Sequence, residues 1–69
     1  MTVREFFNND FTVDGDVVIK HFNQKDNTYD ILGFRFYELS EKEKDYEISY
    51  IYANQEHGLN IEVKYPNED

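Results

Sequence analysis

The chain contains no cysteine and no tryptophan, one proline, and three glycines that stand alone at positions 15, 33 and 58. The missing cysteine excludes disulfides, thiolate catalysis and the usual zinc fingers. Small domains often lean on such staples, so this one depends on its core. It also fits a reducing compartment better than a secreted mini-protein. Isolated glycines exclude a Gly-rich phosphate loop. No stretch approaches the roughly 20 apolar residues of a membrane helix, and Met1 to Glu5 lacks a signal-peptide core. The chain therefore reads as cytoplasmic, complete from Met1 and without a membrane partner. Basic residues are scarce, seven Lys and Arg against fifteen Asp and Glu, for a net charge of −8. That field disfavours direct contact with a nucleic-acid backbone, and solubility alone accounts for it.

What the chain does have is aromatic. Six Phe and six Tyr stand among 32% charged residues in 69 positions. A chain this short buries only about 60% of its unfolded surface, so aliphatic and aromatic groups must be buried together. The length allows one domain, residues 1–69.

Thr2 and Glu5 have the spacing of a capping box, and Val3, Phe6 and Phe7 form one apolar side, which predicts a short helix ended by Asn8, Asn9 and Asp10. The rest reads as strands: Val17 to Phe22, Tyr29 to Leu39, Tyr46 to Tyr52 and Leu59 to Tyr65. Asp14-Gly15-Asp16, Asn23 to Asn27 and Asn54 to Gly58 mark turns. Gly33 marks a bulge or a close approach. Ser40 and Glu43 repeat the capping-box spacing and predict one helical turn in the polar segment between strands two and three. Short connections favour an antiparallel meander. The expected fold is α+β, a short N-terminal helix packed on a four-stranded antiparallel meander sheet (α-β-β-β-β).

Alternation then sorts the faces. Leu59, Ile61, Val63 and Tyr65 set the inner side, joined by Val17, Ile19, Leu32, Phe34, Phe36, Tyr46, Ile48, Tyr50 and Tyr52. Left outside are Val18, Phe22, Tyr29, Ile31, Tyr37 and Ile51, among Lys20, Arg35, Glu47, Glu62 and Lys64. A solvated face is usually more polar. Two readings stand side by side. Phe22, Tyr29, Ile31, Arg35, Tyr37 and Ile51 form a surface for a protein partner or a homodimer, or Tyr and Lys shield the aliphatics in cross-strand pairs.

The run Thr2-Val3-Arg4-Glu5-Phe6-Phe7, followed by Asp16-Val17-Val18-Ile19, Tyr46-Glu47-Ile48-Ser49-Tyr50-Ile51 and Leu59-Asn60-Ile61-Glu62-Val63, resembles small uncharacterised proteins encoded by phages and prophages of Gram-positive bacteria. The resemblance rests on hydrophobic pattern over most of the chain. It implies an accessory role, often the blocking of a host enzyme, and brings no activity or cofactor with it.

Catalytic signatures are lacking. His21 falls in a strand and His57 in a turn, and no nucleophile motif surrounds Ser40 or Ser49. Asp10, Asp14 and Asp16 lack the spacing of a calcium loop. No cofactor is implied, and the chain reads as a non-enzyme. The acids Glu41, Glu43, Asp45 and Glu47 recur at every second position. On an extended strand, alternate residues lie about 6.6–6.8 Å apart, which suggests an alternative reading, a nucleic-acid-mimicking inhibitor of a host enzyme. Lys42 and Lys44 interrupt the row, and a solvated charged loop explains the same pattern.

Overall fold

A computed structural model describes residues 1–8 and 15–66; Asn9, Asp10 and Asp14, which entered the helix-end and calcium readings, lie outside the described residues. Helix α1 covers Val3–Phe7. It starts where the capping box requires: Thr2 is extended, its hydroxyl accepts the Glu5 N–H at 3.1 Å, and Glu5 Oε1 accepts the Thr2 N–H at 2.8 Å. Five residues cannot hold a helix alone, and the neighbouring chain ties this one down. The Val3 N–H donates to the Tyr46 carbonyl at 3.0 Å, and the Ile48 N–H donates to the Met1 carbonyl at 2.8 Å. Arg4 Nε donates to Asp45 Oδ1 at 2.8 Å.

The strands are β1 (Val17–Asn23), β2 (Thr28–Gly33), β3 (Glu47–Asn54) and β4 (Gly58–Lys64). They form one mixed sheet in the order β2-β1-β4-β3. The β1–β2 and β3–β4 pairs are antiparallel, and β1 lies parallel to β4. The α+β class holds, whereas the antiparallel meander does not. The reason lies in β1. Val17 to His21 are buried one after another, so this strand is packed on both faces, as parallel central strands are. A meander would have left it at an edge. The chain instead leaves β2 through two 3-10 turns, Phe36–Glu38 and Glu43–Asp45, and enters β3 at the opposite edge.

The expected second strand, Tyr29 to Leu39, ends at Gly33. A Cβ at Gly33 would lie 3.3 Å from the Glu38 side chain and 3.4 Å from Leu39 Cδ2. The close approach foreseen for this glycine is therefore what lets the chain fold back. Glu38 Oε1 accepts the Phe34 N–H at 2.8 Å and closes the turn. Phe34, expected inside, is exposed, while Phe36 still reaches the core from the 3-10 turn. The second capping box also forms: Ser40 Oγ accepts the Glu43 N–H at 3.2 Å, and Glu43 Oε1 accepts the Ser40 N–H at 2.8 Å.

The core lies between the sheet and this covering layer. Val3 and Leu39 meet Val17, Ile19, Ile61 and Val63, with Phe6, Phe7, Leu32, Phe36, Tyr46, Ile48 and Leu59 around them. The molecule measures 34 × 27 × 18 Å. Its thin dimension suits one sheet covered on one side, since packed layers lie about 10 Å apart.

Candidate functional site

The sheet face opposite the core carries the candidate site. Register along β1 places Val18, Lys20 and Phe22 on this side, opposite Asn60 and Glu62 of β4 and Ile31 and Tyr29 of β2. From β3 come Tyr50, paired with Glu62, and Tyr52, paired with Asn60. These two tyrosines were expected in the core. The ladder shifts by one residue between Ile48 and Tyr50, so a bulge at Ser49 reverses the alternation. Ser49 Oγ donates to the Glu62 carbonyl at 3.1 Å at this point. Before the bulge, Tyr46 and Ile48 reach the core as predicted. After it, Tyr50 and Tyr52 turn outward and Ile51 pairs with the core residue Ile61.

At the centre of the face lies Lys20, only 6% exposed. Its Nζ donates to Asn60 Oδ1 at 2.8 Å. It sits 4.1 Å from the centroid of the Tyr29 ring and 5.2 Å from that of Tyr52. The ammonium is thus held between two aromatic faces, an arrangement that repays part of its desolvation. Asn60 is fully buried, and its Nδ2 donates to the Gly58 carbonyl at 3.1 Å. The Tyr29 hydroxyl donates to Glu62 Oε2 at 3.3 Å. The Tyr29 phenol is held above its ordinary pKa, first by its hydrogen bond with Tyr52; the Tyr52 phenol is raised first by burial and next by its hydrogen bond to Glu62. Around this polar centre lie exposed apolar groups: Ile31, Tyr50, the outer parts of Tyr29 and Tyr52, and half-buried Phe22, whose ring packs 5.1 Å from Tyr29.

Of the six residues read from sequence as a partner surface, Phe22, Tyr29 and Ile31 lie together on this face. Val18, also expected outside, is on this side but fully buried. Arg35 and Tyr37 belong to the crossover rather than to the sheet, and Ile51 points to the other side. Tyr50 and Tyr52 are the members that sequence reasoning missed; Lys20 was expected on this face, but not its burial between Tyr29 and Tyr52. A strict two-residue period carried through Ser49 hides Tyr50 and Tyr52.

The acidic row does not lie on an extended strand. Glu41, Glu43 and Asp45 occupy the turn and 3-10 segment, and each has a partner within the protein. Glu41 pairs with Lys44 at 2.7 Å and with Arg4 at 3.5 Å, Asp45 pairs with Arg4 at 2.8 Å, and Glu43 caps Ser40. Glu47, at the start of β3, takes the N-terminal ammonium at 3.0 Å.

His21 is buried on the core side, stacked on Tyr65 with centroids 3.6 Å apart, its Nδ1 3.6 Å from Asp30 Oδ2. His57 lies 3.5 Å from Glu56 in an open depression of ≈ 350 Å³ that also involves Asp16, Phe34, Arg35 and Glu38. Its lining, among the described residues, includes no Ser or Thr. Among the described residues no group of three or more His, Asp or Glu is arranged to hold a metal ion, and no helix is long and apolar enough to cross a membrane.

No family model, curated protein or solved structure matches this chain.

Proposed function

We propose that the protein is a non-catalytic accessory protein that binds another protein through the outer sheet face, in keeping with the context that its phage-like sequence pattern implies. The carrying observation is the composition of that face. Ile31 is 47% exposed and Tyr50 67% exposed, beside Tyr29 and Tyr52 on a rigid, hydrogen-bonded centre. Tyrosines anchored at one end and exposed at the other are the side chains that interfaces favour, because they bring contact area at low entropic cost. A sheet also presents them with little reorganisation on binding.

The test is affinity capture from the protein's own cell lysate with three baits, the parent protein and two variants. Ile31→Lys places a charge on the face and is expected to lose the bound partner. Tyr37→Lys, on the crossover, is expected to keep it. Equal capture by both variants would exclude the outer face as the docking surface.

A further inference from the structure

Strand β3 is an edge strand, and its outer edge is divided in two. The first part already carries another segment of chain. Thr2 bridges Glu47 in antiparallel sense, Ile48 N–H donates to the Met1 carbonyl, and Val3 N–H donates to the Tyr46 carbonyl. This edge therefore accepts an antiparallel partner. Beyond the Ser49 bulge, among the described residues, nothing pairs with it, and every residue from Ser49 to Asn54 is exposed. Exposure extends to both faces of the strand: Tyr50 and Tyr52 on the outer side, Ile51 and Ala53 on the side of the covering layer.

Edge strands normally carry guards, such as lysine, proline or an inward charge, that prevent pairing with other chains. Ser49 to Asn54 has no lysine, proline or charge; its one irregularity is the bulge at Ser49, where the segment begins. It lies within Ile48 to Gln55, the longest stretch of the sequence without Asp, Glu, Lys or Arg. The opposite edge, β2, does carry a charge at its middle, Asp30.

We infer that the free half of β3 pairs antiparallel with the same segment of a second copy, joining two sheets into one. The occupant follows from charge. Each copy carries −8, and this uncharged segment is where two such molecules can touch without opposing like charges. A two-fold axis at Ile51 brings a neutral segment onto itself: Ile51 meets Ile51, and Tyr50 of each copy meets Tyr52 of the other as cross-strand neighbours. The contact is small, at or below the low end of the roughly 1,200–2,000 Å² of stable complexes, so assembly is expected in the micromolar range. This contact shares Tyr50 and Tyr52 with the outer face but not Ile31, the probe of the outer-face reading, which lies on the far edge strand, β2.

The experiment is sedimentation velocity over about 1 μM to 1 mM at low and high salt. The expected result is a reversible monomer–dimer equilibrium that strengthens with salt as repulsion is screened. Tyr50→Lys and Ala53→Lys, each adding a guard to the edge, should weaken association at least tenfold with unchanged circular dichroism, whereas Ile31→Lys should leave it intact. Hydrogen exchange of the parent protein gives a readout independent of any variant: amides within Ser49 to Asn54 should gain protection as concentration rises. A monomer throughout the range, a dimer indifferent to both edge variants, or one dissolved by Ile31→Lys would each overturn the inference.

Discussion

Lys20 shows how much one residue can decide. A lysine in a strand is read from sequence as a side chain reaching water, and alternation does send it to the side away from the core. The structure buries it there, between Tyr29 and Tyr52, with its ammonium on Asn60. Removing the charge strands the Asn60 oxygen, and an unpartnered buried acceptor costs about 1–3 kcal/mol. Lys20→Met keeps the apolar stem, so we expect a loss of that size, read as a lower urea midpoint with an unchanged slope. Stability equal to the parent's would show that the rings hold a thioether as well as an ammonium. Gly58 is a second such residue. It lies at φ +70°, and a Cβ there would be 2.5 Å from the Asp16 carbonyl oxygen, whose partner is the Leu59 N–H. The turn signal at Asn54 to Gly58 was legible; the contact that forbids a side chain required the long-range approach of Asp16.

At the scale of elements, the parts coded by neighbours in sequence are those the sequence revealed. Both capping boxes, Thr2 with Glu5 and Ser40 with Glu43, form as their spacing predicts. Helix α1 is too short to survive on propensity, so its cap and its ties to the Glu43–Asp45 turn hold it. Thr2→Val removes the hydroxyl that accepts the Glu5 N–H and keeps the backbone bridge to Glu47. We expect about 1 kcal/mol of destabilisation, measured by urea denaturation; no change would mean that Arg4 and the Met1–Val3 pairing alone fix the helix. Strand lengths were less legible. The second strand stops at Gly33 because the crossover packs on it, and Phe36, whose alternation suited a strand, reaches the core from a 3-10 turn instead. In β3 a single bulge moved Tyr50 and Tyr52 from the core to the candidate surface. A bulge is set by the partner strand, and nothing in Ile48-Ser49-Tyr50 announces it.

For the whole molecule, the ionisable groups bracket a stability plateau. Tyr29, Tyr52 and Tyr65 have phenols raised above 10.0; hydrogen bonding to Tyr52 leads for the first and burial for the other two, with Asp30 next for Tyr65. Above pH 10.0 the unfolded chain has released these protons while the folded one still holds them. The unfolded state then binds fewer protons, and stability falls as pH rises through that window. Glu5 and Glu41 are shifted the other way, below 4.5, by hydrogen bonds from Thr2 and from Lys44. Their contribution is present above 4.5 and is lost as pH drops below it. We expect the melting temperature to be flat near neutrality and to fall on both sides, with a shallower alkaline loss in Tyr52→Phe; an identical alkaline limb in that variant would place the loss elsewhere.

Amino-acid order alone determined the approximate place of each strand and turn, where each capping box starts, and that the protein is α+β and strongly acidic, though not where the second strand stops. These are local properties, fixed by periodicity and by contacts between residues three or four apart. Only tertiary structure decided which strands are neighbours, where Ser49 reverses the alternation, and that Lys20 lies buried between two tyrosines. Periodicity says which side of a strand is oily but not what lies beside it. The two-sided burial of β1, which draws β4 against it in parallel, is energy gained only when distant parts of the chain meet.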